Sequence, residues 1–390
     1  MASSSSAKKK DKTDDLFNKI VDMAVKEDDY TYVYNSDEQE NFLVPNYYFG
    51  TGISVLDVIL GDGGFASSKI SEVFGANKSG KSELAQGVVE RFLIDHPDGI
   101  AQYFDQETAL DDKKFQQIPI FGCGRLIVRK GKTMEKCFES IQNTAKILEK
   151  EQIDRPVLYV FDSVASIETE EEAKKKIGQS TYAPQARVLS QALRKIRGIL
   201  LNTNAHLLLV NQTRDKPGEM FNTNDSACGN AIKFYADYRV KMSNIGTFRF
   251  SAKKKGEEDS GPDGFKILAT TVKNKRATPV RKVEIPLLFH SVAGYRSGFS
   301  NIWSLWYELK KWDILKTVKS GGWHSLVTAS GRSDPITRVE FIDMFKASLT
   351  DTGKVSETSQ LGEALREFSC KIMDSKATFD GDDGEGDGED

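Results

Sequence analysis

Residues Gly75, Ala76, Asn77, Lys78, Ser79, Gly80, Lys81 and Ser82 stand in the spacing G-x-x-x-x-G-K-[ST], the pattern of a loop that wraps a phosphate chain. Each residue type has a task. Gly75 and Gly80 let backbone amides close on phosphate oxygens, Lys81 is placed to reach the β and γ phosphates, and the Ser82 hydroxyl suits a magnesium ion. Such a loop works between a strand and the N-terminus of a helix, whose free amides and dipole favour an anion. The flanks comply: residues 70–74 read as a short apolar strand, and Leu84, Ala85, Val88, Val89, Phe92 and Leu93 recur at helical spacing. ATP with Mg2+ is the expected ligand pair.

Apolar runs at 101–104, 157–161 and 207–210 join the one at 70–74 as four candidate strands separated by helical stretches. One helix is marked by Met134, Cys137, Phe138, Ile141, Ala145 and Leu148, the other by Val188, Leu189, Ala192, Leu193, Ile196, Ile199 and Leu200. That alternation predicts an α/β fold with a mostly parallel, helix-covered sheet. Ligands in such sheets sit at the carboxyl ends of the strands, so the residues that leave each strand matter most. Asp105 and Glu107 follow the second strand, Asp162 and Ser163 the third, Asn211 and Gln212 the fourth. Asp162 ends a buried apolar run and reads as the Walker B carboxylate that holds magnesium through water, with helix capping as the other use of an Asp there. Glu107 has the chemistry to orient and activate an attacking water, but its spacing alone leaves it equally a solvated loop acid.

Two long polar stretches, Glu168 to Pro184 and Thr213 to Asn230, read as loops of the kind that carry function or stay mobile. Beside the first, Arg187, Arg194 and Arg197 form a basic helical row, and the second carries Met220-Phe221. Charge that tracks a backbone, with an apolar tip to wedge between bases, suits single-stranded nucleic acid; a solvated helix face with mobile lids is the plainer alternative. Further strands are expected at Tyr238–Met242, Thr247–Ser251, Phe265–Val272 and Val280–Ile285. Lys273 and Lys275 share a parity that puts both on one side of an extended chain, where they are either ligands or ordinary solvated lysines.

The 390 residues allow one large core with appendages. Cys123, Cys137, Cys228 and Cys370 are far apart, as are the four histidines, so neither a disulfide framework nor a zinc site is legible. No apolar stretch is long enough for a signal peptide or a membrane span, which predicts a cytoplasmic protein. Four regions are expected. Residues 1–44 hold a polar start and an apolar helix face (Leu16, Phe17, Ile20, Val21, Ala24) that needs a partner, in its own core or on a neighbouring subunit. An ATPase core follows at 45–292, then a small domain at 293–378 carrying all four tryptophans, and a disordered tail at 379–390. From Asp380 onward that tail has seven acidic residues and no basic one.

Taken in order, these segments resemble the RecA-type homologous recombinases of bacteria and their phages, from about Tyr48 to Ser325. Thr51-Gly-Ile-Ser-Val-Leu-Asp57 with Gly61-Asp-Gly-Gly64 resembles the opening of that family's core. Asp105-Gln-Glu-Thr-Ala-Leu-Asp111 is similar to its catalytic-glutamate segment, which gives the water-activating role to Glu107 and turns Asp111 to the adenine. Ile177-Gly-Gln-Ser and the helix from Ala186 to Lys195 resemble its first DNA-binding loop, and Asn211-Gln-Thr-Arg214 the segment whose glutamine senses the γ-phosphate before a second DNA loop. The resemblance implies DNA contacts at Arg187, Arg194, Arg214, Met220 and Phe221, and a subunit interface at Phe234 within Gly229-Asn-Ala-Ile-Lys-Phe-Tyr235. Val272-Lys-Asn-Lys275 resembles the lysine pair that reaches the nucleotide of the neighbouring protomer.

The fold implied is a RecA-like ATPase core with a short N-terminal helical segment and a small α+β C-terminal domain. The activity implied is DNA-dependent ATP hydrolysis, helical filaments on single-stranded DNA, and strand exchange with homologous double-stranded DNA. Single-strand-binding and mediator proteins are the implied further partners. An accessory or mediator protein that keeps the ATP fold without strand exchange is the main alternative; a small-molecule phosphate-loop kinase is another. Glu107, Lys273, Lys275 and both loops argue against each.

Overall fold

The computed structural model describes residues 45–107, 118–131, 133–176, 184–213, 230–250, 261–291, 296–319 and 322–375. The expected helix at Leu16–Ala24, the tips of both polar loops and the acidic run from Asp380 lie outside them. Two short strands, β1 (Tyr48–Phe49) and β2 (Phe65–Ala66), pair antiparallel. The main sheet takes β3 (Ile70–Gly75), β4 (Ile100–Asp105), β5 (Leu126–Lys130), β6 (Val157–Asp162), β7 (Ala205–Gln212), β8 (Tyr238–Phe248), β9 (Gly264–Asn274), β10 (Lys282–Leu288) and β11 (Gly298–Phe299). Their order is β11-β10-β9-β8-β3-β7-β6-β4-β5. From β8 to β5 every pairing is parallel, and β9 to β11 extend the sheet antiparallel.

Strands buried on both faces are apolar at nearly every position, and their alternate side chains feed two cores. On one face Val73, Tyr103, Leu158, Val160, Leu208 and Val210 pack with Leu84, Val88 and Phe92 of the helix Lys81–Asp95. On the other, Phe104, Tyr159, Phe161, Leu207 and Leu209 meet the helices Met134–Lys150 and Pro184–Asn202. The first amphipathic pattern read from the sequence is buried throughout; of the second, Leu189, Leu193, Ile196 and Leu200 are buried and Val188, Ala192 and Ile199 pack half-buried against them. The first face also receives Trp303 and Trp306 of the helix Asn301–Lys311, Phe341 of Arg338–Ala347 and Phe368 of Gln360–Asp374. These helices accompany a three-stranded antiparallel sheet of β12 (Leu315–Lys319), β13 (Trp323–Thr328) and β14 (Gly331–Arg332). At the C-terminal end of the helix Lys81–Asp95, Arg91 donates to the carbonyl of Thr352 at 2.6 Å and Asp95 pairs with Lys354 at 3.1 Å.

Three expectations need correction. The strands expected at Tyr238–Met242 and Thr247–Ser251 are one strand, β8, because the polar stretch between them pairs with β9 through a register shift between Asn244 and Gly246. The polar stretch from Glu168 is partly helical: Thr169 and Glu172 cap each other's backbone amides and start the turn Glu170–Ala173. The strand expected from Val280 begins at Lys282, since Val280 itself takes a left-handed backbone with φ of 61°.

His206 lies fully buried between Phe49 and Phe65, its Nδ1 2.7 Å from the carbonyl of Ala66. Burial pushes its pKa from 6.5 down to about 4. The unfolded chain therefore binds a proton that the folded chain refuses as the pH falls from 6.5 towards 4, and stability drops across that window by about 3 kcal/mol. Denaturant melts at pH 7 and pH 4.5 should show a smaller loss for His206→Leu than for the parent protein. An equal loss in both would locate the acid sensitivity elsewhere.

Candidate functional site

The phosphate loop is shaped by two close approaches. A Cβ on Gly75 would stand 2.1 Å from the carbonyl oxygen of Met242 on β8, so no other residue fits without moving that strand. Gly80 has a left-handed φ of 81° and a Cβ there would meet the ring of Phe299 at 2.7 Å. Lys78 is left-handed too, with φ of 61°. Gly80 caps the helix Lys81–Asp95 with no side-chain acceptor on its first amides, the arrangement that suits an anionic ligand. Ser79 Oγ donates to the carbonyl of Ala76 at 2.8 Å and Lys81 Nζ to the same oxygen at 2.7 Å, which folds the ammonium back over the loop.

Beside the loop lies a cavity of about 320 Å³ that gathers Asn77, Lys78, Lys81, Ser82, Glu107, Asp162 and Gln212 from four strand ends. Two other clefts, of about 190 and 490 Å³, border residues 51–63 and gather none of the strand-end acids. Asp162 is buried, its Oδ1 taking the Ser82 hydroxyl at 3.0 Å and its Oδ2 the Tyr103 hydroxyl at 2.6 Å. Burial raises its pKa; the hydrogen bonds from Tyr103 and Ser82 only partly offset the rise, and the Glu107 and Asp105 charges add to it. Burial and the Asp162 charge push the Tyr103 hydroxyl well above its ordinary range and keep it a donor. Lys81 has its pKa lowered by burial against the pull of Glu107 and Asp162.

Ser82 and Asp162 fit a divalent cation such as magnesium: both offer oxygen, and their ligand atoms are neighbours. No group of three or more His, Cys, Asp or Glu gathers for a metal among the described residues.

Glu107 Oε1 accepts from Ser163 Oγ at 2.5 Å, Ser166 Oγ at 2.9 Å and Gln212 Nε2 at 3.0 Å. Burial works against its charge, but these bonds and the nearby Lys81 outweigh burial and hold its pKa below the ordinary carboxylate range. Gln212 is itself set by the residue before it: the Asn211 side chain accepts from the Gln212 amide at 2.9 Å and donates to Glu72 at 2.9 Å. Glu72 is fully buried in β3, and Arg239 of β8 binds its other oxygen at 2.5 Å while lying over the ring of Phe74.

The sequence matches the family described as the RecA N-terminal domain over residues 35–293. The chain belongs to the RecA family. It is 34% identical to Protein RecA of Treponema denticola over 276 residues, 70% of this chain and 61% of that protein. It is 32% identical to Protein RecA of Leptospira meyeri over 70% of this chain and 65% of that protein, and 30% identical to Protein RecA of Aquifex aeolicus over 70% and 73%. The Treponema and Leptospira proteins are thus spanned over less than two thirds of their own length.

In this RecA-family chain the remaining expected site residues fall into two groups away from the phosphate cavity. Lys273 Nζ donates to the carbonyls of Lys233 and Phe234, at 2.5 and 3.3 Å, and Lys275 pairs with Asp237 at 2.9 Å. Both lysines thus reach the segment 233–237, as their shared side predicts, and Phe234 beside them is 76% exposed. Arg187, Arg194 and Arg197 are exposed along the helix Pro184–Asn202, and Arg187 pairs with Glu171 at 2.7 Å. Asp111, Arg214, Met220 and Phe221 lie outside the described residues. Sequence reasoning missed Tyr103 and Ser166, and singled out Ser163 only as a polar residue leaving the third candidate strand. The signal for Tyr103 was a lone hydroxyl in a buried strand, which needs a partner.

Gly75→Ala tests the loop geometry. The added methyl collides with strand backbone rather than a flexible side chain tip, so nucleotide affinity should fall at least about tenfold and the protein should lose on the order of 1–3 kcal/mol of stability. Titration calorimetry and denaturant melts read the two effects, and parental values for both would refute the close approach.

Proposed function

We propose that this chain is an ATP-driven recombinase that assembles as a helical filament on single-stranded DNA in the cytoplasm and exchanges strands with a homologous duplex. The observation that carries this reading is the convergence of Lys81, Ser82, Asp162, Glu107 and Gln212 on one cavity in a RecA-family chain. Lys81 and the loop amides bind the triphosphate, and Ser82 with Asp162 hold the magnesium, which neutralises charge on the phosphates. Glu107, kept ionised, takes the proton of the attacking water. Gln212 responds to the γ-phosphate and stands within hydrogen-bond distance of Glu107, which supports a link between nucleotide state and the loop that follows it.

Placement of the other groups supports the rest. Lys273, Lys275 and exposed Phe234 gather away from their own phosphate cavity, where they are available to a neighbour's nucleotide in a head-to-tail assembly. The exposed arginine row adjoins the first polar loop. Its Arg187–Glu171 pair lies in solvent, where ion pairs are weak, and yields readily to a DNA phosphate.

Circular single-stranded and linear duplex DNA, mixed with the protein and ATP, should yield exchanged products; binding to DNA without exchange favours the accessory-protein reading. Lys81→Ala should cut hydrolysis by more than about a hundredfold. Glu107→Gln should bind ATP normally, hydrolyse it slowly and form longer-lived filaments. Lys273→Ala/Lys275→Ala should keep most of its ATP affinity and lose DNA-stimulated hydrolysis. Mixed with Lys81→Ala protein it should regain part of that activity, because some junctions pair an intact loop with intact lysines. Mixed filaments as inactive as either parent would assign the lysines to their own subunit.

A further inference from the structure

We propose that Ser163 and Ser166 are positioning residues that hold the Glu107 carboxylate at the phosphate cavity when Gln212 turns from it to the γ-phosphate. The inference rests on the water-activating role proposed for Glu107 and on the γ-phosphate response proposed for Gln212. Three donors converge on Glu107 Oε1, and two of them are these serines. The hydroxyls stand 2.9 Å from each other, yet each has a single proton, and both protons are committed once both serines donate to the carboxylate. Their contact is a by-product of sharing one acceptor.

The two kinds of holder differ in freedom. Gln212 ends β7 with its amide in the cavity, and an amide drawn to a phosphate loosens its 3.0 Å bond to Glu107. The serines cannot follow. Ser163 caps and Ser166 ends the short turn Val164–Ser166 that follows β6, closed by the Ser166 amide on the Ser163 carbonyl at 3.2 Å. The backbone before Glu107 is fixed to the same place, since the Gln106 amide donates to the Asp162 carbonyl at 2.8 Å. Glu107 is therefore referenced to β6 rather than to the moving glutamine, and a carboxylate that must meet a water in one geometry keeps that geometry through the nucleotide switch.

Ser166 is exposed, so Ser166→Ala should fold as the parent does. In the full-length protein with DNA and ATP, it should lower kcat about five- to tenfold with the ATP dissociation constant changed less than about twofold. Ser166→Thr, which keeps the hydroxyl, should recover most of the loss. Ser163→Ala/Ser166→Ala should lose at least about thirtyfold. The decisive comparison adds Ser166→Ala to Glu107→Gln: no further loss is expected, because the serine acts only through that carboxylate. Parental kcat for Ser166→Ala, or the same loss with and without Glu107, overturns the inference. A Glu107→Gln protein that hydrolyses ATP normally overturns the role of Glu107 and this inference together, whereas an impaired Glu107→Gln beside an indifferent Ser166→Ala overturns the inference alone.

Discussion

Burying Glu72 in the middle of β3 obliges the strands on either side to answer it. A carboxylate with no access to water is tolerated only if paired and hydrogen-bonded, and losing one partner of such a pair typically costs about 3–5 kcal/mol. The answers come from Arg239 on β8 and Asn211 on β7, which face Glu72 from opposite neighbours of the phosphate-loop strand. Satisfying the charge fixes the register of three strands. The same contact orients Asn211, whose side chain holds the Gln212 amide, and Gln212 in turn reaches Glu107. Local electrostatics beneath the loop thus set the geometry above it.

Sheet order explains why the remaining site residues need so much support. The phosphate loop leaves β3 while Glu107 follows β4, three strands away and on the order of 14 Å across the sheet at ordinary strand spacing. Hydroxyls from the end of β6 and an amide from the end of β7 bridge that gap. Asp162, on the strand between, is fastened from both sides by Tyr103 of β4 and Ser82 of the phosphate-loop helix. Adjacent parallel strands each deliver one polar group at their carboxyl end, and their spacing separates Asp162 from Glu107.

The sequence made most of this legible where one residue type leaves the chain little choice. A glycine-lysine-serine loop between strand and helix, and buried apolar runs ending in polar residues, gave the sheet centre and the residues of the cavity. Amphipathic spacing marked the two helices behind the sheet. The edge strand β5 escaped notice because Leu126-Ile-Val-Arg-Lys130 is half exposed and carries no two-residue alternation. The continuity of β8 was hidden by Ser243 and Asn244, whose strand state comes from pairing with β9 rather than from propensity. Ser166 was illegible for another reason, and Ser163 legible only as a polar strand end: serine is at home in any turn, and only three-dimensional proximity to Glu107 links these two.

The seam at the end of the family match is not a clean place to cut. The match stops at residue 293, yet the helix that begins at the phosphate loop is gripped at its other end by the 350–356 segment, through Arg91 on Thr352 and Asp95 on Lys354. Fifteen helical residues make a rod of roughly 22 Å between those two attachments. A chimaera that replaced everything after residue 293 with another relative's sequence would leave Arg91 and Asp95 paired with each other but without the Thr352 and Lys354 contacts. Modular exchange in this chain has to travel as a set, with the tail of the phosphate-loop helix inherited alongside the unit that grips it.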